Sequence, residues 1–307
     1  MRVAGIDCGT NSIRLLIADA IIDADGVQLQ DVVRTMRVVR LGQGVDATGG
    51  FAPEALERTF AAVREYKALC EEHGVQQIRF AATSAARDAS NREVFLSTVT
   101  DILGVSPEVI TGDEEASLSF TGAASVRSTK DGKLLVIDLG GGSTEFVLGD
   151  GSGPLAATSL DIGCVRVTER FAERADAIDF IDGTLANLTG RVDVSQVDTV
   201  IVVAGTFTTL TAQALKLSTY DSSAIHGAEL SFADMRRATG EMLSYSREER
   251  AALGFMHPGR VDVIQAGALI VQRILGYLEE VSQNRPMTLI ASEHDILDGI
   301  AASAALN

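Results

Sequence analysis

One pattern occurs twice in this chain, and it constrains the fold more than any other feature. Leu134 to Gly149 reads LLVIDLGGGSTEFVLG: an apolar run ends in Asp138, then come Gly140, Gly141 and Gly142, then Ser143, Thr144 and Glu145, then a second apolar run. Aligning Asp7 with Asp138, an offset of 131 residues, brings Gly9 onto Gly140, Ser12 onto Ser143 and Ile13 to Ile17 onto Thr144 to Leu148. Each copy predicts a strand, a tight turn and a strand. Glycines let backbone N–H groups turn toward one point, as an anion needs. The carboxylates at the turn edges suit a divalent metal beside that anion. A single glycine-rich turn is common and carries little. Two in one register predict two similar α/β halves facing each other across a cleft, each giving a turn to one phosphate chain.

The 307 residues suffice for two domains. No apolar run reaches membrane-spanning length, and MRVAGIDCGTNS opens a strand rather than a signal peptide. Cys8, Cys70 and Cys164 are odd in number and far apart, so no disulfide framework or zinc spacing is expected, and a reducing cytoplasm is. The net charge of −16 and pI near 4.6 argue against nucleic-acid binding. They leave room for a focused anion site built from arginine and backbone amides.

Strands and helices alternate along the chain, which points to α/β. Strands are expected at Arg2 to Asp7, Ile13 to Ile22, Gly26 to Leu41, Gln77 to Thr83, Val109 to Ile110, Leu134 to Gly149 in two runs, Pro154 to Asp161, Thr199 to Val203 and Met287 to Ala291. Helices are expected from Pro53 to His73, Glu93 to Leu103, Asp113 to Val126, Cys164 to Arg174, Ala177 to Thr189, after the turn Ala204 to Thr206 as far as Leu217, Phe232 to Leu243, Arg247 to Leu253, Pro258 to Val281 and His294 to Ala304. Ser84 to Asn91 reads as a polar turn. The polar connector Ser128 to Gly132 suggests a boundary, with domains at 1–125 and 126–292, a hinge near Ser125 to Gly132, and a last helix, 293–307, packing back on the first.

The chain resembles the exopolyphosphatase and guanosine pentaphosphate phosphatase (Ppx/GppA) family, within the actin, hexokinase and heat-shock ATPase superfamily. The matching stretches are IDCGTNSIRLL (Ile6 to Leu16), TSAARDASN (Thr83 to Asn91), ITGDEEASLSFTG (Ile110 to Gly122), VIDLGGGSTEFVLG (Val136 to Gly149), DIGCVRVTE (Asp161 to Glu169), VAGTFTTL (Val203 to Leu210), HPGRVDVIQAGALI (His257 to Ile270) and SEHDILDG (Ser292 to Gly299). They follow the family's order along nearly the whole chain. The resemblance implies two ribonuclease H-like domains and metal-dependent hydrolysis of a terminal phosphoanhydride bond. The substrate would be inorganic polyphosphate or guanosine pentaphosphate. It also implies Mg²⁺ or Mn²⁺ as cofactor, possible inhibition by guanosine tetraphosphate, and a homodimer. No nucleic-acid or membrane partner is expected. Two departures stand out: Thr10 replaces a common serine, and Ala204 replaces a common glycine. Ending at Asn307, the chain lacks the extra C-terminal domains of longer members, which suggests a preference for short polyphosphates.

Asp138 and Glu145 are the expected metal residues, with Asp7 a more distant partner of the metal. Gly9, Thr10, Asn11, Ser12, Gly140, Gly141, Gly142, Ser143 and Thr144 form the expected phosphate cradle. The resemblance makes Glu115 the base that activates water, with Glu114 its rival; on a helix the two point about 100° apart, so one of them faces the site. Arg87 would clamp a phosphate. Arg166 and Arg260 fall in family motifs but could equally pair with Glu169 or Asp262. The four histidines show no metal spacing, and the cysteines read as structural. Two other activities remain open: a kinase of the same superfamily, needing an adenosine pocket around Ala204 to Leu210, and a non-catalytic binder of guanosine tetraphosphate.

Overall fold

The computed structural model describes residues 1–23, 26–126 and 132–306. The chain divides into two compact units, Met1–Gly122 with Ile296–Asn307, and Ala123–Asp295. The expected connector and hinge fall largely on residues 127–131, outside the described residues.

The first unit contains strands β1 (Arg2–Cys8), β2 (Ser12–Asp23), β3 (Gly26–Val38), β4 (Gln77–Ala82) and β5 (Glu108–Val109). Its helices are α1 (Val45–Thr48), α2 (Pro53–Glu72), α3 (Ser84–Asp88), α4 (Arg92–Leu103) and α5 (Gly112–Ala123). The sheet order is β3-β2-β1-β4-β5. β1, β2 and β3 are antiparallel neighbours, while β4 runs parallel to β1 and β5 parallel to β4. β1 is buried along nearly its whole length, as a continuous apolar run in a central strand should be. β3 lies at the edge and alternates between half-buried and exposed positions.

The second unit repeats this plan. Its strands are β6 (Leu134–Leu139), β7 (Thr144–Asp150), β8 (Gly153–Leu160), β9 (Thr199–Val203), β10 (Glu229–Leu230) and β11 (Thr288–Ala291). Their order, β10-β11-β9-β6-β7-β8, contains β8-β7-β6-β9-β11, the order of the first sheet with one strand added at an edge. The helices are α6 (Cys164–Arg170), α7 (Arg174–Leu185), α8 (Ala204–Ala214), α9 (Ser222–Ile225), α10 (Phe232–Ser244), α11 (Arg247–Ala252) and α12 (Ile264–Val281). Two mixed sheets of this order are the two similar α/β halves expected from the repeat, in the ribonuclease H-like class that the resemblance implied. The offset of 131 survives to the hydrogen bond: Gly9 N donates to Ser12 O at 3.0 Å, and Gly140 N to Ser143 O at 3.0 Å.

The final helix, α13 (Ile296–Ala304), belongs to the first unit and lies against β1. The approach is so close that a Cβ on Gly5 would sit 2.8 Å from Ala301 N, and one on Gly299 would sit 2.1 Å from Leu118 O. Glycine is needed at both places because backbone occupies the space of a side chain.

Several boundaries differ from the sequence expectation. Ser84 to Asn91 is not a plain turn; α3 occupies most of it. The long helix starts at Ile264 rather than Pro258. Pro258–Arg260 is a separate 3-10 turn, and the Arg250 guanidinium takes the Val261 carbonyl that a continuous helix would have used. α6 ends at Arg170, and the short elements α1, α9 and β10 had no periodicity to announce them.

Candidate active site

In each unit the residues singled out above gather at the carboxyl ends of parallel strands, where open α/β sheets bind ligands. In the first unit these are the ends of β1, β4 and β5. Asp7, buried at the end of β1, accepts from Arg14 on β2 at 2.9 Å from Nε and 2.8 Å from Nη2. The turn that follows has its carbonyls tied back. Thr10 O accepts from Gly42 N at 2.9 Å, and Asn11 O accepts from Val39 N at 3.1 Å and Arg40 N at 2.8 Å. The Thr10 and Asn11 amides have no protein partner among the described residues. Asn11 Oδ1 is buried and unpartnered too, an arrangement that costs stability unless a ligand or solvent satisfies it. Gly9 and Ser12 complete the turn.

α5 separates the two rival glutamates. Glu114 points outward, its side chain 43% exposed, and pairs with Arg79 at 2.6 Å. The Glu115 side chain is 10% exposed and accepts from Arg87 Nη1 at 2.7 Å. Arg87 also donates to Ile110 O at 3.1 Å, so its guanidinium faces the carboxylate. Burial pushes the Glu115 carboxyl above its ordinary value; Arg87 and Thr83 pull it back, and the negative charge of Asp7 adds to the rise. A carboxyl held this way is a candidate proton acceptor.

In the second unit, Asp138 ends β6 and stands opposite Glu145 on β7. Opposed residues of an antiparallel pair share a face. Asp138 is 6% exposed and Glu145 1%, and Ser159 Oγ donates to Glu145 Oε1 at 2.7 Å. Mg²⁺ is usually held by one or two carboxylates together with substrate phosphates, so this pair fits a divalent cation. Among the described residues no group of three or more His, Cys, Asp or Glu side chains could hold a metal by itself.

The glycine turn between β6 and β7 is anchored from behind by α6. Cys164 N donates to Gly140 O at 3.1 Å, Val165 N and Arg166 N donate to Gly141 O at 2.8 and 3.1 Å, and Arg166 Nε donates to Gly142 O at 2.7 Å. With these three carbonyls held on the α6 side, the amides of Gly141, Gly142 and Ser143 keep no protein partner among the described residues. A row of such amides is an anion nest. The same device serves the first turn, where the backbone at Val39, Arg40 and Gly42 replaces α6. Thr144 is fully buried and its hydroxyl donates to Ile162 O at 2.6 Å, so its proton is committed within the protein.

Arg260 lies over Gly205, where a Cβ would come 2.3 Å from Cζ, and its Nη1 donates to Thr209 Oγ1 at 3.2 Å. Asp262 pairs with Arg247 at 2.8 Å. Ala204, in place of the family's glycine, adopts a φ of 69°, the left-handed region that glycine occupies without strain. The cysteines are buried and free. Burial drives the Cys8 thiol well above its ordinary value, as it raises Cys164, so neither is an activated thiolate. His73 caps the end of α2, and the His226 and His294 rings stack with centroids 4.5 Å apart. No helix among the described residues is long and apolar enough to cross a membrane.

The sequence reading did not single out Gly163, although it lies in a stretch it quoted; the available signal was a glycine just before a helix.

The Ppx/GppA phosphatase family profile matches residues 20–304. Exopolyphosphatase 2 of Mycobacterium tuberculosis is 46% identical over 99% of this chain and 98% of its own length. Among solved structures, an exopolyphosphatase-like protein is 44% identical, with a TM-score of 0.92 over 98% of this chain and 97% of its own. The PPX-GPPA enzyme of Aquifex aeolicus is 32% identical, with a TM-score of 0.79 over 99% of both chains. The profile spans the motifs of the second turn and the relatives run along nearly the whole chain, and the chain belongs to the Ppx/GppA phosphatase family.

Proposed function

We propose that this protein is a metal-dependent exopolyphosphatase that removes the terminal phosphate of inorganic polyphosphate by attack of a water activated by Glu115. The observation that carries the reading is the setting of Glu115: a buried carboxyl, raised by burial, fixed by Arg87 and placed at the strand ends beside the first turn. The name of the mycobacterial relative supplies the substrate class. In this scheme the Glu115 carboxylate accepts a proton from water, whose oxygen bonds to the terminal phosphorus as the bond to the bridging oxygen breaks. The amides of Thr10, Asn11, Gly141, Gly142 and Ser143 bind phosphate oxygens. Asp138 and Glu145 hold the divalent cation, which offsets phosphate charge when bound. Asp7 is paired with Arg14, and Arg87 holds Glu115 through Nη1.

Purified protein with Mg²⁺ is given tripolyphosphate, long polyphosphate, guanosine pentaphosphate, and ATP with sugars in separate reactions. Orthophosphate release from polyphosphate is the expected result. Release from guanosine pentaphosphate alone transfers the same chemistry to the nucleotide. Phosphorylated sugar without orthophosphate would make the protein a kinase, and no reaction with any of them sinks the hydrolase reading.

A further inference from the structure

Three neighbouring strands of the second sheet set one row of side chains beside the glycine turn. Asp138 on β6 stands opposite Glu145 on β7, and Glu145 stands opposite Ser159 on β8. Opposed residues of antiparallel neighbours lie on the same face of a sheet, so Asp138, Glu145 and Ser159 share one side. Ser159 uses that place: its Oγ donates to Glu145 Oε1 at 2.7 Å. Glu145 is 1% exposed, and the serine hydroxyl replaces one of the waters that would surround a carboxylate at the surface. The pairing of β7 with β8 shifts register only beyond Leu148, so the frame that sets Ser159 against Glu145 is regular.

The row in the first unit differs. Its members are Asp7 on β1, Arg14 on β2 and Met36 on β3. Arg14 meets Asp7 in an ion pair of 2.8 Å, and the third position holds a thioether, which has no proton to donate. In the second unit the middle residue is an acid and the third position holds a donor. The hydroxyl stands in the half whose row carries two acids, and not in the half whose row carries the ion pair.

A carboxylate can present its lone pairs in several directions, and a hydrogen bond to one oxygen fixes the plane in which they lie. Mg²⁺ demands near-octahedral geometry and depends on that direction. Groups that hold a metal-binding carboxylate in place are worth about tenfold to a hundredfold in metal affinity.

We propose that Ser159 is a positioning residue for the divalent cation, its hydroxyl holding the Glu145 carboxylate in the orientation that takes the metal. This rests on Asp138 and Glu145 being the pair that holds the cation. Ser159 keeps its proton and acts through Glu145; it is not itself a metal ligand.

The test is calorimetric titration of Mg²⁺ into the full chain without substrate, for the parent and for Ser159→Ala, Ser159→Val, Ser159→Thr and Glu145→Gln, with thermal unfolding of each in EDTA. Ser159→Ala and Ser159→Val are expected to raise the dissociation constant for Mg²⁺ about tenfold to a hundredfold. Ser159→Thr keeps the hydroxyl and should stay within about threefold of the parent. Comparing Ser159→Thr with Ser159→Val isolates the hydroxyl, and that pair carries the test if Ser159→Ala does not fold. In hydrolysis of tripolyphosphate, the alanine and valine variants should need about tenfold more Mg²⁺ for half the maximal rate and regain most of kcat at saturating Mg²⁺. A hydroxyl that only satisfies a buried carboxylate would lower the unfolding temperature in EDTA and leave the Mg²⁺ constant unchanged. That result overturns the proposal, as does a threonine variant that binds Mg²⁺ no better than the valine one. If Glu145→Gln binds Mg²⁺ as the parent does, or the parent binds none, the cation pair and this proposal fall together. A Glu145→Gln protein that has lost Mg²⁺ beside a Ser159→Val protein that binds it as the parent does overturns this one alone.

Discussion

Glu145 stands opposite Asp138 across the β6–β7 hairpin, at the register where the β1–β2 hairpin sets Arg14 opposite Asp7. One backbone frame therefore carries an ion pair in the first unit and two carboxylates in the second. The ion pair compensates itself; the two opposed carboxylates put like charge on one face, which a bound divalent cation would offset. The repeat has preserved the turn and changed the charge.

Divalent cations should therefore stabilise the protein without substrate. At about a hundredfold excess over the dissociation constant, a bound ion adds about 2.7 kcal/mol. Thermal unfolding with and without Mg²⁺ measures it, and chelation with EDTA should return the lower midpoint. Glu145→Gln removes one of the opposed charges. It should unfold at a higher temperature than the parent without metal, lose the Mg²⁺-dependent rise, and lose hydrolysis.

Glu114 and Glu115 are adjacent in sequence and differ in surroundings. Glu114→Gln breaks a half-exposed contact to Arg79, which still holds Glu108, and should cost less than about 1 kcal/mol and leave kcat within about twofold. Glu115→Gln removes the proton acceptor and should lower kcat about a hundredfold to ten-thousandfold. Parallel kinetics on the two variants decide the matter; the reverse ranking would assign the base to Glu114.

The raised carboxyl of Glu115 gives activity and stability opposite slopes. The base works ionised, so kcat should fall with acid through a midpoint above the ordinary value of 4.5. A raised folded-state value means that the fold favours the protonated form. This contribution to stability is complete below the unfolded value and lost as pH rises through the folded one. Glu115→Gln should then be the more stable protein at neutral pH, with the difference closing below about pH 4. Unfolding curves for both proteins across pH 4 to 8 test the sign.

What could be read in advance depended on whether it was local. The two hairpins are local: apolar run, glycine turn and apolar run fix strand, register and amide direction within a few residues, and the offset of 131 survives down to the Gly9 and Gly140 bonds. Glu115 over Glu114 was legible as a choice between two directions on a helix, though not which direction faced inward, because that depends on Arg79 and Arg87 from distant segments. The start of α12 was misplaced because the sequence does not show that Arg250 takes the Val261 carbonyl.

The anchoring of the second turn can be broken from two sides with different results. Arg166 holds Gly142 O through Nε, while the Gly140 and Gly141 carbonyls are held by α6 backbone that no side-chain change removes. Arg166→Gln should therefore loosen one peptide of the three. If the turn binds phosphate equally in ground and transition states, KM rises about tenfold with kcat little changed. Gly163→Ala acts on the whole contact: its Cβ would lie 2.3 Å from Gly141 O, against backbone that cannot yield without moving the turn off α6. Such overpacking costs about 1–3 kcal/mol and turns all three amides at once. Activity should be lost in a protein that still folds, as judged by circular dichroism and a lowered but cooperative unfolding transition. A Gly163→Ala protein with unchanged KM and kcat would mean that the glycine turn does not hold phosphate.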